Sequence, residues 1–233
     1  MNASAIVTGG TGGLGAAVVE HLLQVGWRVV VPWIEERELE RLPEQDGLTL
    51  VHADLFDATS AAEVVQAART EPQAPLRGLV NLVGGFAAPG RVHEVAFEEF
   101  DAQLRLNLRP TYLMTQAALP ALLDNDPPSR GSIVCVGSRA ALRPFPGAAG
   151  YIAAKAAVNA FAQAVATEYR DEGVRCNAII PSTIDTPANR AAMPNADHSR
   201  WVPPQQIAPV IAHLLSDDSL PTSGAAIPVY GRA

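Results

Sequence analysis

Thr8-Gly9-Gly10-Thr11-Gly12-Gly13-Leu14-Gly15 decides the reading of this 233-residue chain. The run follows an apolar, strand-like stretch at residues 5–7 and opens a helix-like segment at 14–25. A glycine-rich turn between strand and helix is what a dinucleotide's pyrophosphate requires. Glycines allow positive φ and close backbone approach, and the free N–H groups of the helix N-terminus meet the negative charge. Two spacings fit: Gly-x-Gly-x-x-Gly at Gly10, Gly12 and Gly15, and Thr-Gly-x-x-x-Gly-x-Gly at Thr8, Gly9, Gly13 and Gly15.

Working outward, short apolar runs alternate with helical segments along the whole chain, as right-handed βαβ units do. Strands are predicted at residues 5–7, 28–31, 48–52, 79–83, 131–136, 175–180 and 225–229, and helices at 14–25, 35–42, 60–69, 97–123, 151–172 and 204–216. Strand cores such as Ile133-Val134-Cys135-Val136 are continuously apolar, the pattern of strands buried on both faces. The expectation is an α/β fold: one domain over residues 1–233, a doubly wound parallel sheet of about seven strands with helices on both faces. The Pro- and Gly-containing clusters at 126–129 and 143–147 have loop length and read as turns within that domain.

Composition agrees with an ordinary globular protein, at 48% hydrophobic and 18% charged residues. A formal charge of -7 repels phosphate polymers and anionic membrane surfaces, so neither a nucleic-acid partner nor a membrane partner is expected. Cys135 and Cys176 lie inside apolar runs and read as reduced core residues, which suits a cytoplasmic protein. The first ten residues lack a targeting pattern, and no window approaches the ~18 apolar residues of a membrane span. Five scattered histidines show no metal-binding spacing, and Gly137-Ser138-Arg139-Ala140 lacks the hydrolase elbow, so no metal and no acyl-enzyme chemistry is expected.

Tyr151 and Lys155 stand four apart on a predicted helix, one turn from each other on one face. Ser138 follows the strand at 131–136, at the carboxyl edge where open α/β sheets place ligands. A phenol of pKa ≈ 10 is a poor acid–base group near neutrality; a nearby ammonium favours the phenolate and brings it toward working range. Ser138 would polarise a carbonyl while Tyr151 supplies the proton that accompanies hydride arrival.

With these residues in place, the chain resembles the short-chain dehydrogenase/reductases of the single-domain, simple type over nearly its whole length. The resemblance rests on Thr8-Gly9-x-x-x-Gly13-x-Gly15, Asp54-Leu55, Asn81-Leu82-Val83-Gly84, Asn107, Ser138 and Tyr151-x-x-x-Lys155. It implies a catalytic set of Asn107, Ser138, Tyr151 and Lys155, with Asn107 holding a water for proton relay and Lys155 also binding the nicotinamide ribose. It implies a cofactor-binding set of Thr8, Gly9, Thr11, Gly13, Leu14, Gly15, Trp33, Asp54, Leu55, Asn81, Gly84, Tyr151, Lys155, Pro181, Ile184 and Thr186. Asp54 would meet the adenine amino group, Asn81 would support the central strands beside the adenosine ribose, and Thr186 would contact the nicotinamide carboxamide. Two of these positions also admit plainer readings: Asp54 as a helix N-cap, and Asn107 as a helix-interior amide satisfied by backbone.

The cofactor is NAD or NADP. Trp33 stands where an Asp would bind the ribose 2′-hydroxyl, and Ile34 where an Arg would often bind a 2′-phosphate. Glu35 and Glu36 repel a 2′-phosphate while Arg37 attracts it, and Trp33 either packs on the adenine edge or joins the core. The reading is thus an NAD(P)-dependent oxidoreductase, a carbonyl reductase or alcohol dehydrogenase, acting on a small carbonyl/alcohol substrate. Its alternatives are a non-catalytic dinucleotide-binding regulator and a dehydratase or epimerase using the same Tyr and Lys. Residues 182–201 are too long for a plain connection and are expected to form a substrate lid. Arg139, Arg143 and Arg190 leave an acyl-carrier-protein thioester open as substrate. The alanine-rich helix from Tyr151, with the long helix before it, implies by resemblance a homotetramer, with a dimer second.

Overall fold

The computed structural model describes residues 3–42 and 44–232. Seven strands form one parallel sheet: β1 (Ser4–Thr8), β2 (Arg28–Trp33), β3 (Leu48–His52), β4 (Leu76–Asn81), β5 (Gly131–Val136), β6 (Val174–Pro181) and β7 (Ala226–Val229), in the order β3-β2-β1-β4-β5-β6-β7. Every residue of β1, β5 and β6 is buried, because helices cover both faces. On one face α2 (Ala58–Ala68), α3 (Phe97–Leu123) and α4 (Ala149–Glu168) contribute Val64, Met114, Ala118 and Val158 to the core. On the other, α1 (Gly13–Gln24) and α6 (Pro204–Leu215) contribute Val18, Leu22, Ile207 and Ile211. The strand order reverses between β1 and β4, and the crevice at their carboxyl ends is where such sheets bind ligands.

Most predicted elements are present; the differences have physical causes. Residues 35–42 do not form an α-helix but a 3₁₀ turn, Glu36–Arg41, which buries no side chain and so gains nothing from tertiary packing. β4 ends at Asn81 instead of Val83, because the next two amides, of Leu82 and Val83, turn toward Thr8 Oγ1 at 3.1 and 3.5 Å and leave the ladder. α4 ends at Glu168, not Glu172; the chain turns there and Gly173, at φ +81°, leads into β6. The cap of α2 is Asp57, whose carboxylate accepts the Ser60 amide at 2.8 Å, so Asp54 is not that helix's N-cap. Within residues 182–201 lie a short helix, α5 (Pro187–Ala192), and a 3₁₀ turn, His198–Arg200.

Candidate active site

Asn107, Ser138, Tyr151 and Lys155 meet around the carboxyl ends of β4 and β5. Asn107 is fully buried on α3 and grips the loop after β4 at both ends: its Nδ2 donates to Gly85 O at 3.0 Å and its Oδ1 accepts from Gly85 N at 3.1 Å. Its second amide hydrogen goes to Gln103 O at 3.0 Å, so the side chain is satisfied by backbone, as one sequence reading allowed. A Cβ on Gly84 would fall 2.6 Å from Asn107 Oδ1 and 3.2 Å from Lys155 Nζ, which shows how closely the amide and the ammonium approach the chain there.

Lys155, one turn into α4 beyond Tyr151, is 6% exposed and donates from Nζ to Val136 O at 2.9 Å. Burial pushes its pKa down to about 8, with Cys135 opposing. Ser138 begins the turn after β5 and accepts from Ala140 N at 3.2 Å. Burial raises the Tyr151 pKa above that of an ordinary phenol, and the Ser138 hydroxyl draws it back. This departs from the expected ammonium effect: one Lys155 proton is aimed at a main-chain carbonyl, and burial is the larger influence on the phenol.

The residues expected to hold the dinucleotide are grouped along the same edge. α1 starts without a side-chain cap and without an acidic residue in its first turn, leaving first-turn N–H groups for an anion. A Cβ on Gly15 would come 2.1 Å from Gly9 O, so only glycine closes this turn. The donor set and the bare cradle fit a pyrophosphate. Thr186 lies across the turn, its Cγ2 2.9 Å from where a Gly13 Cβ would stand. Thr8 is buried and takes up the amides after β4, and Pro181, also buried, ends β6; both hold backbone more than they face the crevice. Asn81 is 2% exposed, donates to Thr115 Oγ1 at 3.2 Å and keeps its Oδ1 without a partner, bracing α3 against the central strands. Asp54 is exposed and accepts from Phe56 N at 2.9 Å, while Leu55 is buried. Ile184 pairs with Val202 in an isolated bridge.

Trp33 is half-buried at the end of β2, its ring edge-on to His52 at 4.8 Å, so it belongs to the crevice rim and not to the core. Glu38 and Arg41 are neighbours of the glycine turn that the sequence reading missed. Thr11 Oγ1 donates to Glu38 Oε2 at 2.7 Å, Arg41 donates to Thr11 O at 2.9 Å, and Arg41 pairs with Glu38 at 3.1 Å. The Thr11 hydroxyl holds the Glu38 carboxyl below its usual range. Their i, i+3 spacing was the available signal. Also missed were Phe86, edge-on to Tyr151 with centroids 5.0 Å apart, and Phe145, 6.3 Å from Phe86.

Fold and site together define a dinucleotide-dependent α/β enzyme. The family profile described as short chain dehydrogenase matches residues 3–197, and the chain belongs to that family. It is 30% identical to 2-(S)-hydroxypropyl-CoM dehydrogenase 3 of Xanthobacter autotrophicus, over 97% of this chain and 94% of the relative. A 3-ketoacyl-(acyl-carrier-protein) reductase from Brucella melitensis, solved with NADH, superposes with a TM-score of 0.87 at 28% identity, covering 99% of this chain and 98% of that one. ElxO with NADP bound gives a TM-score of 0.89 over 99% of this chain and 98% of its own, but at 22% identity it bears on the fold alone. The protein is an oxidoreductase that uses NAD or NADP to transfer a hydride to or from a carbonyl/alcohol substrate. Such relatives put it with the dehydrogenases and reductases. Among the described residues no helix is long and apolar enough to cross a membrane.

Proposed function

We propose that Tyr151 is the acid/base of this hydride transfer, served by Ser138, Lys155 and Asn107. The observation that carries this reading is the meeting of the Tyr151 phenol, the Ser138 hydroxyl and the buried Lys155 ammonium at the carboxyl ends of β4 and β5. The neutral phenol donates a proton to a developing alkoxide in reduction, and the phenolate takes one up in oxidation. When bound, the nicotinamide supplies or takes up the hydride. Ser138 orients the substrate oxygen, and Tyr151 holds the proton at its phenol oxygen. Lys155, with a pKa of about 8, restores that proton near neutral pH. Asn107 positions the Gly84–Gly85 turn beside them.

Thr11, Gly13 and Leu14 at the start of α1 would hold the pyrophosphate. Trp33, Asp54 and Leu55 would hold the adenosine end, with Asn81 supporting the central strands beside the adenosine ribose, and Gly84, Ile184 and Thr186 the nicotinamide end. Residues 182–201 would act as the substrate lid, hinged where Ile184 meets Val202 and fastened where Thr186 crosses the glycine turn. α3 and α4 would form a subunit interface, supported by Tyr112, 48% exposed and 5.8 Å from Phe161. A homotetramer in the cytoplasm, with its two cysteines buried and free, completes the reading.

The decisive experiment is Tyr151→Phe. It should reduce kcat by more than about a hundredfold and leave cofactor affinity close to wild type; a variant with wild-type kcat on any turned-over ketone refutes the assignment.

A further inference from the structure

Two exposed aromatic rings stand beside the proposed proton donor with no task in hydride chemistry. Phe86 is 58% exposed and Phe145 44% exposed, large apolar groups left open to solvent at the mouth of the site. Phe86 meets the Tyr151 ring edge-on, with centroids 5.0 Å apart and planes at 87°, and Phe145 continues the wall 6.3 Å further on at 47°.

The wall is built in advance. Phe86 follows Gly85, whose N–H and C=O are both tied to the Asn107 side chain. The two loops that carry the rings are joined by Gly90 N donating to Gly147 O at 3.3 Å. Phe145 also lines a neighbouring cleft of 590 Å³ with Arg91, Val92, His93, Pro144 and Ile152.

Of the three arginines that could recognise a charged or phosphorylated substrate, two are engaged elsewhere, while Arg143 is exposed on the loop that carries Phe145. Arg190 is held in a two-pronged pair by Asp185, at 2.5 and 2.8 Å. Arg139 stacks over the Tyr230 ring at 5.1 Å. What remains next to Tyr151 is aromatic surface, and an aromatic surface discriminates by shape: edge-to-face and offset contacts favour a flat ring over a flexible chain of equal carbon number, because the ring loses fewer rotamers on binding.

We infer that this site takes ketones and secondary alcohols whose carbonyl or carbinol carbon is attached to a flat apolar ring, seated against Phe86 and Phe145. The inference rests on Tyr151 marking the reacting end of the site, as proposed above.

The test compares acetophenone with 2-octanone, two eight-carbon ketones, on the full chain. Affinity is read by saturation-transfer NMR in the presence of cofactor, and turnover is followed with NADH and with NADPH. Acetophenone is expected to bind about tenfold tighter than 2-octanone, the gain of two aromatic contacts. Phe86→Ala and Phe145→Ala, both at exposed positions, should bring the two affinities within about threefold of each other. Equal affinities in the wild type, or a ring preference that survives both substitutions, overturn the inference. Ring-selective binding without turnover by either cofactor supports the aromatic wall and overturns instead the role given to Tyr151.

Discussion

Replacing Lys155 by Met removes a cation that the fold buries at a cost readable in the pH dependence of stability. Its pKa is pushed down from 10.5 to about 8, chiefly by burial. The folded pKa lies below the unfolded one, so under pH 8 both states carry the proton and the folded protein bears the full desolvation cost. Between pH 8 and 10.5 the unfolded chain stays protonated while the folded one has released its proton, and stability rises with pH. Above 10.5 the cost is gone. At 1.36 kcal/mol per pH unit the whole effect is about 3 kcal/mol, of which about 2 kcal/mol falls between pH 7.5 and 9.5. The measurement is urea unfolding of wild type and Lys155→Met at those two pH values, followed by tryptophan fluorescence. Met also gives up the bond to Val136 O and shifts stability at every pH, so the informative quantity is the change in the difference between the two proteins. Wild type should gain about 2 kcal/mol on the variant as pH rises. A difference that stays flat, or that falls, would show that Lys155 is not depressed, and with it would go the claim that it returns a proton near neutral pH.

Trp33→Asp should raise the preference for NADH over NADPH about tenfold, through a charged acceptor for the ribose 2′-hydroxyl, read by fluorescence titration of both cofactors; an unchanged ratio places Trp33 away from the ribose. Glu38→Gln removes the carboxylate at Thr11 and should improve NADPH affinity about threefold in the same titration, with NADH affected less. Asn107→Ala leaves Gly85 N–H and C=O without partners and should lower stability by about 2–3 kcal/mol in urea unfolding while also lowering kcat. Amide exchange over residues 183–200 should slow when cofactor and substrate bind, and equally strong protection in the free enzyme rules out the lid. Tyr112→Glu should shift the oligomer to smaller species in light scattering if α3 and α4 form the interface.

Local pattern and tertiary packing contributed different parts of this protein. The boundaries of α3 at Phe97–Leu123 and of β5 at Gly131–Val136 agree with the sequence reading, because one is a long helical pattern and the other a short continuous apolar run, both set by nearby residues alone. The glycine turn and the four-residue spacing of Tyr151 and Lys155 are also local, and so were legible. The end of β4 was not, since it depends on Thr8, more than seventy residues earlier, capturing the Leu82 amide. Residues 36–41 carry helix-forming side chains, but with none of them buried the chain takes a 3₁₀ turn, and that turn delivers Glu38 and Arg41 to Thr11. The direction of the Tyr151 pKa is likewise a property of burial, which no spacing encodes. Phe86 comes to lie edge-on to Tyr151 only because β4, α3 and α4 pack with Asn107 gripping Gly85. Periodicity specifies what each segment becomes and which face it buries; which distant side chains then touch, and in what dielectric, is decided when those faces close on one another.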